Sequence, residues 1–87
     1  MAYRIEFKPS AGKELSGLPK NIQKRIAAKI DALADNPRPR EVEKLEGSEH
    51  RYRIRVGDYR IIYEVRDEVL LILVVRIGHR REVYRRL

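Results

Sequence analysis

Three arginines raise the chemical question. Arg53, Arg55 and Arg60 flank Gly57-Asp58 in a stretch that reads Arg-Tyr-Arg-Ile-Arg-Val-Gly-Asp-Tyr-Arg-Ile-Ile-Tyr-Glu-Val from Arg51 to Val65. Apolar and polar residues alternate on both sides of the glycine, which is the period of two half-buried strands. A two-residue connection with glycine first suits a type II′ turn. It sets Val56 against Tyr59, Arg55 against Arg60, Ile54 against Ile61 and Tyr52 against Tyr63. Arg53, Arg55 and Arg60 then share one face. Like charges directly opposed on a sheet cost roughly 0.2–1 kcal/mol per pair, so a chain that keeps this pair is holding it for an anion.

Guanidinium groups grip phosphate through two parallel hydrogen bonds. Several together stabilise a phosphorane-like transition state, whose negative charge exceeds that of the ground state. RNA supplies its own nucleophile in the 2′-hydroxyl, so such a site needs neither a metal nor a protein nucleophile. Arginine stays protonated to about pH 12, which leaves proton transfer to Tyr84 or His79, or the reaction to positioning and charge alone. Arg80, Arg81 and Tyr84 follow Gly78. A tail folded back past the end of the preceding strand brings Arg80 and Tyr84 to the sheet arginines. The plainer readings are a solvated basic face for the arginines, a solvated strand end for His79 and a packing residue for Tyr84. Tyr52, Tyr59 and Tyr63 alternate with apolar residues and read as core. Glu64, opposite Arg51, reads as a structural ion pair.

Composition sets the frame for this chemistry. The 87 residues carry 20 Lys+Arg against 13 Asp+Glu, a formal charge of +7, which calls for a polyanionic partner. The absence of cysteine excludes disulfides and thiolate chemistry, and His50 and His79 alone make a protein zinc site improbable. No stretch is long enough to span a bilayer and no leader is evident, so a cytoplasmic protein is expected. One domain over residues 1–87 fits the length.

The elements that must position the arginines are legible in order. Ala2 to Phe7 alternates as a first strand. Pro9 opens a short helix ending near Gly17, and Pro19 opens a longer one with Ile22, Ile26, Ile30 and Leu33 on its apolar stripe. Asn36-Pro37 ends that helix, and residues 37–50 read as an extended connection. The arginine hairpin follows, then a turn around Arg66-Asp67-Glu68 and a central strand from Val69 to Val75 that ends at Gly78. The fold expected is α+β: an N-terminal strand, a two-helix hairpin, and a three-stranded antiparallel meander completing a mixed four-stranded sheet. The helices cover the face bearing Tyr52, Ile54, Ile61, Tyr63, Leu70, Ile72 and Val74, and a short basic tail closes the chain. The opposite face combines the arginines with an apolar floor of Ile62, Leu71, Leu73 and Val75, expected to be wet in the isolated chain and to receive a partner helix.

Taken together, these residues resemble the RelE/ParE superfamily of bacterial and archaeal toxins, and its RelE branch in particular. The resemblance runs from Met1-Ala2-Tyr3 through the Pro19 helix and Lys44-Leu45-Glu46-Gly47. It continues through the hairpin from Tyr52 to Tyr63 and closes with Gly78-His79-Arg80 and Val83-Tyr84. It implies the toxin of a type II toxin–antitoxin system: a ribosome-dependent mRNA endonuclease that works in the A site, against 16S rRNA, by 2′-hydroxyl attack that leaves a cyclic phosphate. No cofactor or metal is implied. The implied partners are a cognate antitoxin, seated on Ile62, Leu71, Leu73 and Val75, and operator DNA only through that antitoxin. Carried over by position, Arg55, Arg60 and Arg80 stabilise the transition state, Arg53 orients the phosphate, and Tyr84 positions a base or moves a proton. Arg51, His79 and Arg81 contact RNA around them. The best-known members have lysine at the positions of Arg53 and Arg55, one of them a candidate general base. A ParE-like inhibitor of DNA gyrase, and a weakly active toxin serving mainly as co-repressor, are the alternatives.

Overall fold

The computed structural model describes residues 2–79, so the tail bearing Arg80, Arg81 and Tyr84 lies outside the described residues. Five strands form one sheet in the order β1-β5-β4-β3-β2. They are β1 (Arg4–Phe7), β2 (Glu43–Lys44), β3 (Arg51–Val56), β4 (Tyr59–Arg66) and β5 (Leu71–His79). β1 runs parallel to β5 and every other pairing is antiparallel, so the sheet is mixed as expected. The expected count of four strands is corrected to five. Within the 37–50 connection, Glu43 and Lys44 pair with Arg53 and Tyr52. Both are exposed, so this short edge carries no alternation to betray it.

Helix α1 (Pro9–Ser16) starts on its proline, where the missing N–H costs nothing, and stops at Gly17. Helix α2 (Lys20–Asp35) ends at Asn36, whose extended backbone is what the following proline demands. Gln23 in α2 donates its side-chain amide to the carbonyls of Ser16 and Leu18, fastening the turn between the helices. Both helices cover one face of the sheet. Ile26, Ile30 and Leu33 of α2 and Ala11 of α1 meet Ile54, Val56, Ile61, Tyr63, Val65, Ile72, Val74 and Ile77 in one core. Tyr52 and Tyr59 pack at its margin, as the alternation requires.

Three local features depart from the sequence reading. The turn after β4 is longer than expected: Asp67–Val69 form a single 3₁₀ turn and Leu70 caps it in the left-handed region at φ 51°. Leu70 is therefore 37% exposed and outside the core. A register shift between Ile62 and Tyr63 places a bulge in β5 at Val75, and the strand continues through Gly78 to His79. β1 stops at Phe7, so the far half of β5 has an open edge. The carboxylate of Glu14 fills it by accepting from the backbone N–H of Ile77 at 2.9 Å and from Arg76 at 3.3 Å.

A polar clasp closes the end of the sheet away from the hairpin turn. Arg38 donates two hydrogen bonds to the Asp67 carboxylate, at 3.2 and 2.7 Å, and a third to the Tyr52 hydroxyl at 2.9 Å. Tyr3 donates to the same carboxylate at 2.6 Å. Beneath them the fully buried Tyr63 donates to the Pro37 carbonyl at 2.6 Å, and burial pushes its phenol well above the usual range. The bond from Arg38, then that from Tyr3, holds the Asp67 carboxyl below its ordinary value. A depressed folded pKa means the stabilisation is complete above the unfolded value of about 3.9 and is lost as pH falls through the folded one. Thermal melts from pH 5 to pH 2 should therefore show a steeper fall in Tm for the parent chain than for Asp67→Asn. Parallel curves would remove the clasp from the acid response.

Candidate functional site

The register around Gly57-Asp58 matches the alternation at every position: Val56 to Tyr59, Arg55 to Arg60, Ile54 to Ile61 and Tyr52 to Tyr63. Gly57 takes φ 60° while Asp58 stays out of the positive region, as in a type II′ turn. The hairpin therefore holds Arg55 and Arg60 directly opposite one another on the sheet face away from the core, with Arg53 two positions along β3.

The three guanidiniums are held differently. Arg53 meets Glu43 of β2 at 2.6 Å, so the strand that the pattern hid supplies the carboxylate that anchors it. Arg55 donates from Nε to the Gly57 carbonyl at 3.0 Å, which draws its head toward the turn. Arg60 donates from Nη1 to the Tyr59 carbonyl at 3.3 Å. A guanidinium offers five N–H donors, so these single contacts use only part of the donor capacity of Arg55 and Arg60. Arg60 sits deeper in the sheet than Arg55. It is half-buried on an interior strand, and its partner across β5 is Gly78, which puts no side chain beside it.

The remaining site residues divide clearly. Arg51 pairs with Glu64 at 3.2 Å and Arg66 holds the same carboxylate at 3.1 Å, so the structural ion pair expected for Glu64 is present. Burial alone would raise the Glu64 carboxyl, but the bonds from Arg66 and Arg51 outweigh it and leave the group below its usual range. Arg51, expected to contact RNA, is engaged here by a carboxylate of its own sheet. His79 ends β5 opposite Tyr59, their rings edge-on with centroids 5.9 Å apart. Arg80, Arg81 and Tyr84 lie outside the described residues.

The expected wet floor is corrected. Ile62 is fully buried, Val75 is 6% exposed and Leu71 is 7% exposed. Leu45, just past β2, packs against Ile62 and Val75, and Leu73 is the half-buried margin of that second cluster. The connection thus covers much of the surface that the four-stranded reading left open. Among the described residues no cluster of three or more His, Cys, Asp or Glu is placed to hold a metal ion. No helix among them is long and apolar enough to cross a membrane.

Two cations that the hairpin pattern could not reveal lie near Arg55. An open groove of about 470 Å³ between α2 and the hairpin turn is lined by Arg25, Lys29 and Arg55, with Ala28, Ala32 and Gly57 among its other walls. The available signal was the i, i+4 spacing of Arg25 with Lys29 and of Ala28 with Ala32, which runs one basic and one small stripe along the same side of α2.

Fold and site define a small basic α+β domain whose sheet carries helices on one face and an arginine cluster on the other. The family model for the ParE toxin of type II toxin–antitoxin systems matches residues 5–84. The mRNA interferase toxin RelE of Escherichia coli K12 is 33% identical over 88 residues, covering 97% of this chain and 92% of that protein. The solved archaeal RelE–RelB complex from Pyrococcus horikoshii superposes with a TM-score of 0.81 at 38% identity, over 92% of this chain and 97% of that one. The intact E. coli RelBE toxin–antitoxin complex gives 0.81 at 29% identity, over 90% and 96%. The chain belongs to the RelE/ParE superfamily of type II toxin–antitoxin toxins, in its RelE branch.

Proposed function

We propose that this toxin is a ribosome-dependent mRNA endonuclease that cuts in the A site by attack of a 2′-hydroxyl on the adjacent phosphate. The observation that carries the reading is the Arg55–Arg60 opposition, with Arg53 on the same solvent-facing side. Its support is the similarity over nearly the whole chain to a protein named mRNA interferase. Arg60 and Arg55 bind the non-bridging oxygens and neutralise the charge that grows in the transition state. Arg53, steadied by Glu43, orients the phosphate. Arg80 and Tyr84 complete the site from the tail, Arg80 as a further cation and Tyr84 to position a base or move a proton, while His79 and Arg81 contact the RNA beside them.

With arginine at both second-strand positions, this hairpin supplies charge and orientation rather than a proton acceptor. Catalysis then rests on holding the 2′-hydroxyl in line and on electrostatic stabilisation. The reaction as proposed needs no metal, since nucleophile and leaving group both belong to the RNA. Gyrase inhibition is not favoured, because the similar proteins carry RelE names and the basic face is intact. Expression of the chain in cells lacking an antitoxin tests the reading. Growth arrest with transcript ends clustered inside translated codons supports it. Arrest with intact transcripts and altered DNA supercoiling overturns it.

A cognate antitoxin, in the cytoplasm, is the second partner proposed, as the relatives solved with RelB indicate. Of the four residues expected to seat it, Leu73 is the one a bound segment reaches most directly, since the other three are buried. Leu73→Asp should weaken the purified complex tenfold or more by calorimetry. Because Leu73 packs on Ile62 and Val75 and stands between Glu6 and Glu64, the melt of the free toxin should also fall, so binding is read at a temperature where the variant stays folded. An unaltered Kd would remove that surface from the interface.

A further inference from the structure

The groove between α2 and the hairpin turn gathers three cations beside the open edge of β3. β2 pairs only with Tyr52 and Arg53, so β3 from Ile54 to Val56 has no neighbouring strand on that side among the described residues. Arg55, tethered to the Gly57 carbonyl, lies at this open edge and lines the groove. On the far wall stand Arg25, exposed and without an ion pair among the described residues, and Lys29, whose ammonium meets Glu41 at 3.1 Å. Arg25 lies across the turn. A Cβ at Gly57 would stand 3.4 Å from one of its terminal nitrogens, ordinary contact distance, so the guanidinium lies directly beside the turn.

Three cations thus line the groove, one of them paired with an acid outside its walls, on a floor of exposed alanines. Such a floor offers no deep apolar pocket for the aromatic or aliphatic anchors that dominate protein interfaces. It does let a sugar–phosphate chain approach closely, and phosphate contacts of this kind position a nucleic acid without reading its sequence. Arg55 belongs both to this groove and to the opposed pair with Arg60, so the two basic surfaces are continuous around the β3 edge.

We propose that the groove formed by Arg25, Lys29 and Arg55 binds backbone phosphates of RNA beside the cleavage face, extending the RNA footprint around the sheet edge onto α2. The proposal rests on the endonuclease reading for its partner. The phosphates come either from the mRNA strand being cut or from ribosomal RNA alongside it, and the two sources separate by experiment.

The test measures binding of the full chain to a single-stranded oligoribonucleotide with a 2′-deoxy substitution at the scissile position, and separately to 70S ribosomes, over a range of salt. Each phosphate contact to single-stranded nucleic acid contributes about 0.7 to the slope of log K against log salt. Arg25→Gln with Lys29→Gln is expected to weaken binding and to flatten that slope by about 1.4. A change with the oligonucleotide assigns the groove to mRNA, and a change with ribosomes alone assigns it to ribosomal RNA. Ala28→Glu, a helix-compatible change at an exposed position, should have the same effect by placing a carboxylate on the floor, and Arg25→Lys should largely restore it. Unchanged slopes in both arms for well-folded variants overturn the proposal, as does a loss confined to antitoxin binding. Groove-dependent binding by a chain that never cuts RNA would sink the endonuclease reading and leave the groove standing.

Discussion

Replacing Arg60 with alanine is expected to slow RNA cleavage by about 10²–10³-fold, the usual consequence of removing one preorganised donor to a transition state. The residue sits on β4, an interior strand flanked by β3 and β5, and its head is tied to its neighbour's carbonyl. The strand therefore fixes its backbone before the reaction, and only the side chain has to settle on the phosphate. Removing it also relieves the like-charge contact with Arg55, so the melting temperature should hold or rise slightly. Single-turnover cleavage and a thermal melt on one preparation check both halves. A variant that cleaves at the parent rate would place the transition-state charge elsewhere. Equal losses of activity and of folded protein would make Arg60 a structural residue.

The largest stability effect should come from Ile26→Ala. Ile26 is fully buried where α2 meets the sheet. Truncating such a side chain costs about 2–5 kcal/mol, because the surroundings collapse only partly into the space left behind. Domains of this size hold about 5–15 kcal/mol in total and lose about 4–8 °C of Tm per kcal/mol, so a fall of about 8–40 °C is expected. At low temperature, cleavage per folded molecule should be unchanged, because Ile26 faces the core and the arginines face away from it. A fall of only a degree or two would mean that α2 contributes little to holding the sheet.

What could be read from the sequence follows from what leaves a periodic trace. The hairpin register was legible because Tyr52 to Val56 and Tyr59 to Tyr63 alternate strictly and Gly57-Asp58 permits only a tight turn. Both helix boundaries were legible because Pro9, Gly17 and Asn36-Pro37 act locally on the backbone. β2 was not, since two exposed residues have no alternation and their pairing depends on a strand that follows them in the chain. The bulge at Val75 was hidden inside an apolar run in which neither face carries a polar marker. Leu70 was misassigned for the same reason: its neighbours are apolar, and only the left-handed backbone takes it out of the sheet.

Tertiary polar contacts were the other blind spot. Nothing local links Arg38 to Asp67, or Glu14 to the N–H of Ile77. The candidate site was legible as a cluster of arginines on one face, but not in its anchoring. Glu43 on the hidden β2 steadies Arg53, and the short reach of that same strand leaves Arg55 at an open edge facing α2.

The most direct test of the central claim is one reaction: purified toxin, ribosomes halted with a defined codon in the A site, and both ends of any cut characterised. The account predicts cleavage within that codon, leaving a 2′,3′-cyclic phosphate upstream and a 5′-hydroxyl downstream, as attack by the 2′-hydroxyl requires. Cleavage that leaves a 3′-hydroxyl and a 5′-phosphate, or no cleavage by a well-folded toxin on a filled ribosome, would contradict it.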